Sequence, residues 1–245
     1  FNFIFQYVDT STVNGKTYLP IFLSETISNV YTRKNPKGYL EKIKASKISG
    51  FNNKRAMQLL GDEYLNTNIY DNYIDVFQLH FVSPIANGGL ASYKYYLVDS
   101  ASFDGKWCYK LMFKPRHKQT LTFTGNMWVH DTTFAIREIE MHIANDANMN
   151  FVNDLVINKS FEIINGNRWV LTRDYTIADF NITENNKRTV GFFGKKTTTC
   201  RNYIINQPKA PSFYNSPVNV LVSDSADLHN DKYWLENRHE NLTKD

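Results

Sequence analysis

Cysteine is nearly missing, with two residues in 245, Cys108 and Cys200. Two thiols cannot build a metal cluster by themselves, and this pair lacks the spacing of a redox motif. Both fall on expected strands, which leaves a disulfide between neighbouring strands and two buried free thiols as the open alternatives. Histidine offers no metal pattern either: His80, His117, His130, His142, His229 and His239 show neither HxH nor HxxxH spacing. No GxSxG turn is present to present a nucleophilic serine, and no GxGxxG or GK[ST] loop to cradle a phosphate. An excess of charge is also lacking. Lys and Arg total 28 against 24 Asp and Glu, a net +4, and no basic stripe interleaves with stacking aromatics, so nucleic acid is not an expected partner. No apolar run approaches the roughly 20 residues of a membrane-spanning helix. Residues 1–8 are apolar but lack the basic start and small-residue cleavage site of a signal peptide. The chain opens in mid-strand without Met, and the expectation is an internal piece of something longer.

What the sequence has is aromatic and alternating. Tyr (15) and Phe (17) bring the aromatic content to 15%, a composition suited to pleated sheets with broad apolar faces. The organising stretch is residues 106–180, which reads as five consecutive strands with period-two alternation. Trp107, Tyr109, Leu111 and Phe113 are set against Lys106, Lys110 and Lys114. Leu121, Phe123, Met127 and Val129 oppose Thr122, Thr124, Asn126 and His130, and Ile139, Met141 and Ile143 oppose Glu138, Glu140 and His142. Asn165-Gly166-Asn167 breaks the next long run, and Trp169, Leu171, Tyr175 and Ile177 follow. Short polar turns join each strand to the next, so an antiparallel meander is expected.

Around this centre the signals are more mixed. Residues 1–8 and 16–33 read as extended, with Pro20 marking an edge or bulge, and residues 39–49 lean towards strand. Residues 52–64 carry Ala56, Leu59, Leu60 and Tyr64 at helical spacing behind an Asn cap, a helix suited to pack on the concave side of the sheet. Over residues 65–80, period does not separate helix from strand. Residues 90–99 lead as a strand into the meander, and 187–205 form a last strand pair interrupted by Gly191 and Gly194. Three of the seven prolines, Pro208, Pro211 and Pro217, fall within eleven residues and mark the expected edge of the compact domain. The domain division expected is therefore 1–207, followed by a proline-rich linker and terminal helix over 208–245, the helix starting near Asp227.

Chemistry finds little purchase. Glu138 and Glu140 share a face, but it is the polar one, where solvated charge is the ordinary reading of a carboxylate pair. The basic turn at residues 33–37 and the Lys187/Arg188 and Lys195/Lys196 pairs read either as contacts for anionic lipid headgroups or as a wet rim. Neither an enzyme nor a cofactor is expected.

Several segments resemble a family of large outer-membrane proteins of Gram-negative bacteria. They are residues 19–26 (LPIFLSET), 31–36 (YTRKNP), 68–72 (NIYDN), 81–86 (FVSPIA), 93–95 (YKY), 113–116 (FKPR), 123–125 (FTG) with 128–129 (WV), 134–136 (FAI), 150–154 (NFVND) and 191–194 (GFFG). In that family a carboxypeptidase-regulatory-like β-sandwich precedes such a segment and a C-terminal β-barrel follows it. The resemblance implies a periplasmic middle portion at the outer membrane, with the sandwich and barrel of the same chain as neighbours. It implies no peptidase activity, because the regulatory sandwich carries no catalytic zinc. Residues 123–179 are also similar in pattern to the periplasmic lipoprotein carriers. That likeness implies a mainly β (α+β) fold, a curved antiparallel half-barrel with a few helices on its concave face, here lacking its N-terminal part.

Three readings follow. In the first, the curved sheet is a non-enzymatic trough for a lipid, a lipoprotein or an outer-membrane client, lined by Trp107, Leu111, Phe113, Leu121, Phe123, Met127, Ile139, Met141, Trp169 and Leu171; the same residues can instead form core against helices. The second makes the segment a spacer or interaction platform between sandwich and barrel, with a filled core and binding at edges such as residues 16–23 by strand addition. A hydrolase assembled from distant carboxylates is the third.

Overall fold

The computed structural model describes residues 9–13, 16–18, 22–50, 67–76, 79–144, 147, 152–166, 168–181 and 191–239. The strand expected over residues 1–8, the helix over 52–64 and the Lys187/Arg188 pair lie outside these. The chain forms two compact units, one from Phe1–Lys54 with Asn202–Asp245 and the other from Arg55–Arg201. The C-terminal segment, expected from residue 208 as a linker and terminal helix, is part of the unit that contains the first strands.

In the unit Arg55–Arg201, residues 67–82 resolve into a short hairpin, β5 (Tyr73–Val76) with β6 (Leu79–Val82), and a one-turn helix, α1 (Gly89–Ser92), follows. The meander comes next: β7 (Tyr93–Phe103), β8 (Lys106–Pro115), β9 (Phe123–His130), β10 (Ile136–Ile143), β11 (Val152–Ile164), β12 (Arg168–Asn181) and β13 (Gly191–Thr199). These seven form one antiparallel sheet in chain order, open at β7 and β13. The fold is mainly β, as the alternation predicts. Asp104-Gly105 is a two-residue hairpin turn between the paired Phe103 and Lys106, and Asn165-Gly166 open the connection between the paired Ile164 and Arg168; all four residues stand at positive φ, which glycine admits without strain. Register shifts at Leu97/Asp99, Ile136/Glu138 and Ser160/Phe161 insert single residues on one strand of each pair, and such bulges bend and twist a sheet.

One face of this sheet is core. Phe113, Phe123, Met127, Ile139, Met141, Leu155, Ile157 and Phe161 are buried together with Ile69, Ile74, Val76 and Phe81 from the hairpin and the segment before it. Phe81 stacks tilted on Phe123 with ring centroids 5.0 Å apart. Tyr93 ties the cover to the sheet, since its hydroxyl donates to Val82 O and accepts from Phe123 N. Gly125 stands opposite both Phe113 and Met141 in the ladders, and a Cβ there would come within 1.9 Å of Glu140 O. Only glycine allows this close approach. Among the described residues the element covering the face is thus a β-hairpin, built from the stretch whose period was ambiguous.

In the other unit, β1 (Asp9–Val13) pairs with β2 (Lys16–Tyr18), and β3 (Phe22–Arg33) forms a long hairpin with β4 (Gly38–Gly50). Beside β4 lies β14 (Val220–Val222), in parallel. The segment expected as linker is docked here by side chains as well as backbone. Phe213 sits edge-on to Tyr31 at 5.0 Å, the Tyr214 ring packs over Gly38, Trp234 is buried in helix α2 (Asp231–Asn237), and Arg238 makes a bidentate pair with Glu25 at 2.5 and 2.8 Å. Proline spacing alone could not show this, because a segment rich in proline is also one that holds an extended course along a surface.

Candidate ligand-binding cavity

The ladders let the inner face be followed from β8 to β13 row by row. One row runs Leu111, Met127, Ile139, Lys159, Asp174, Thr198, each directly opposite the next. The neighbouring row runs Phe113, Gly125, Met141, Ile157, Thr176, Lys196. Both begin apolar and end polar. The core hairpin covers the apolar part, and the change of chemistry occurs where β11 meets β12.

At that point Lys159 Nζ donates to Asp174 Oδ2 at 2.5 Å, and Thr176 Oγ1 approaches Asp174 Oδ1 at 3.5 Å. The Lys159 and Asp174 side chains are 3% and 12% exposed. Removing an ammonium from water is costly, and an ion pair offsets that cost only in part. Accordingly burial pushes the Lys159 ammonium below the ordinary lysine range; the Asp174 carboxylate works against the fall and the charge of Lys196 adds to it.

Beside the pair is a cavity of about 250 Å³, lined by Thr67, Asn68, Ile69, Phe161 and Leu171 as well as Lys159 and Asp174. Its walls are apolar at Ile69, Phe161 and Leu171, with Tyr70 set edge-on against Phe161. Its polar lining is incompletely satisfied among the described residues. There Thr67 Oγ1 is buried with no hydrogen-bond partner, and Lys159 Nζ, which carries three donors, donates to Asp174. Asn68 is turned to its own backbone, its Oδ1 accepting from Tyr70 N at 3.1 Å.

The residues expected to line a trough are distributed differently. Phe113, Phe123, Met127, Ile139 and Met141 are buried in the core, and Leu111, Leu121, Trp169 and Leu171 pack against it. Trp107 is 45% exposed and outside that core, while its neighbour Cys108 is buried, so the alternation of β8 is covered only towards Phe113. Of the ten, Leu171 alone borders the cavity. The middle of the expected trough is packed by the hairpin. Lys159, Asp174 and Thr67 were missed, although a signal existed: Leu155, Ile157, Lys159 and Phe161 share one parity, which puts a lysine at a core position of a strand.

Other chemistry-bearing groups stand elsewhere. Glu138 and Glu140 are exposed and neither borders the cavity. Among the described residues no three His, Cys, Asp or Glu side chains are grouped to hold a metal. Cys108 and Cys200 are free thiols, with β9 to β12 between the strands that carry or precede them.

A family model described as a family of unknown function, DUF5686, matches residues 5–203. The chain belongs to that family. The matched span takes in all seven strands of the sheet and every residue of the DUF5686 cavity, and it ends before β14. No curated protein and no solved structure matches the chain.

Proposed function

We propose that this DUF5686 chain is a non-enzymatic binding module of an outer-membrane protein on the periplasmic side, and that its hydrophobic ligand enters the end cavity at β11 and β12. The trough along the middle of the sheet is occupied by the chain's own hairpin. One observation carries this reading: an apolar-walled cavity is also lined by a buried hydroxyl that has no hydrogen-bond partner among the described residues and by a buried ammonium whose three donors meet, among the described residues, the Asp174 carboxylate. Buried polar groups in folded proteins are almost always satisfied, so a buried hydroxyl without a partner among the described residues, in the wall of a cavity beside an ammonium with further donors, points to an occupant. The compartment rests on the resemblance of the segments quoted above.

The test is methyl NMR on the chain labelled at Ile and Leu, titrated with 1-pentanol as an uncharged probe. Saturable shifts at Ile69 and Leu171, abolished by Leu171→Trp with the far-ultraviolet circular dichroism unchanged, support the cavity. Shifts spread evenly over exposed methyls, or none, sink it.

A second reading is favoured by the enclosed middle of the sheet, where Phe113, Phe123, Ile139 and Met141 have no exposure at all. It makes the chain a spacer or interaction platform acting through its strand edges. The edge expected at residues 16–23 falls partly on β3, which is an outer strand of its three-stranded sheet. A cavity that takes up no probe leaves this reading in place.

A further inference from the structure

We infer that the cavity is a site for a monocarboxylate with a short apolar tail, held by Lys159 and Thr67; this inference rests on the binding reading above. The choice of head group follows from what is unused. Asp174, the one acidic side chain in the lining, has its two oxygens facing Lys159 Nζ and Thr176 Oγ1, so it offers little to a ligand that donates. Lys159 carries only donors, and the Thr67 hydroxyl can donate as well. A head group that accepts twice meets both, and a carboxylate does so at charge-assisted strength.

Charge points the same way. Lys196 stands directly opposite Thr176, on the face that carries Asp174, and it is near enough to Lys159 to act on its protonation. An amine would set a second positive charge beside the Lys159 ammonium in the same low-dielectric surroundings, whereas an anionic head group is attracted to it.

The tail is defined by the walls. Ile69, Phe161 and Leu171 offer nothing polar to a second carboxylate, so a dicarboxylate would leave one head group desolvated and unpaired. At about 250 Å³ the space is below the ordinary range for drug-sized ligands, roughly 300 Å³ and upward, which restricts the tail to a few carbons.

The experiment compares pentanoate, 1-pentanol and pentylamine, three head groups on one tail, by the same Ile69 and Leu171 methyl shifts at neutral pH. Pentanoate is expected to saturate at about tenfold lower concentration than pentanol, a difference of about 1.4 kcal/mol, and pentylamine to shift nothing. Thr67→Val, which keeps the shape and removes the hydroxyl, is expected to weaken pentanoate about tenfold or more, the scale of a lost hydrogen bond to a charged group. Lys159→Met is expected to abolish the preference for pentanoate over pentanol, and a melting curve for each variant checks that it folds. Pentanol binding as tightly as pentanoate overturns the carboxylate assignment and leaves the cavity reading standing. Pentanoate binding that is indifferent to Thr67→Val overturns the assigned donor, and failure of all three probes to move either methyl overturns both proposals.

Discussion

Lys159 and Asp174 face one another across β11 and β12 as directly opposed ladder partners, their charged atoms 2.5 Å apart on the side of the sheet that elsewhere holds the core. Few positions in the fold set so costly a pair of groups against so apolar a neighbourhood. Ile139 precedes them in the same row, and Phe161 and Leu171 are beside them in the cavity wall.

Breaking this pair is more damaging than deleting it. Asp174→Leu alone leaves a buried ammonium without its partner and is expected to cost about 3–5 kcal/mol. The double variant Lys159→Met with Asp174→Leu is expected to return to within about 1 kcal/mol of the parent, measured by urea unfolding of each variant. A double variant as unstable as the single one would show that the pair itself stabilises the fold. The pH dependence has a definite sign. The folded lysine sits below its ordinary value, so between that lowered value and the ordinary one of about 10.4 the unfolded chain binds more protons than the folded one. Stability from this group therefore rises with pH across that window, and the rise is expected to vanish in Lys159→Met.

Gly125→Ala is expected to be among the most disruptive single-methyl changes in the chain, with a loss of about 3 kcal/mol or more by chemical denaturation. The added carbon would meet Glu140 O at 1.9 Å and the Phe113 ring at 3.0 Å, and the first of these is backbone that cannot swing aside. Gly88→Ala is the control, because a Cβ there meets nothing within 4 Å and the cost is expected to be small.

Tyr93→Phe removes one oxygen that serves two backbone groups, Val82 O and Phe123 N. An expected loss of about 2 kcal/mol follows from stranding both, although the ring and its edge-on contact with Phe113 are kept. Burial also pushes the Tyr93 phenol far up, so alkaline absorbance titration of the folded chain is expected to miss it until unfolding exposes the ring.

In the first unit, the Arg238 guanidinium hydrogen-bonded to Glu25 holds that carboxyl below the usual carboxylate range. Its contribution to stability is present above the ordinary Glu value, about 4.3, and is lost as pH falls through the lowered one. Acidification is therefore expected to release helix α2, reported by the fluorescence of buried Trp234 and by trypsin cleavage within residues 231–239. Glu25→Gln is expected to weaken the docking at neutral pH and to flatten this acid transition. An acid transition of unchanged size in Glu25→Gln would place its origin elsewhere.

Much of the sheet was readable because alternation is a local property. Ile139, Met141 and the glutamates between them declare two faces within one strand, and Asn165-Gly166 declares the turn that joins two strands. Five of the ten residues expected on the inner face are core for that reason. Trp107 shares their parity on β8 yet is 45% exposed, because period two says which residues share a face and nothing about how far along the strand a cover extends. The contacts made within 208–245 were not legible on a similar point, since docking of Phe213 and Arg238 needs partners, Tyr31 and Glu25, about 180 and 213 residues away in sequence.

The amino-acid order by itself determined a β-rich chain, the sequence of strands in the meander, their turns and the apolar identity of one face, because each depends on neighbours two to four residues apart. Only tertiary structure decided that a hairpin from residues 73–82 covers that face, that the C-terminal arm joins the first strands, and that Lys159, Asp174 and Thr67 meet at one cavity. Those outcomes depend on which distant surfaces exclude water together, and no local period encodes that.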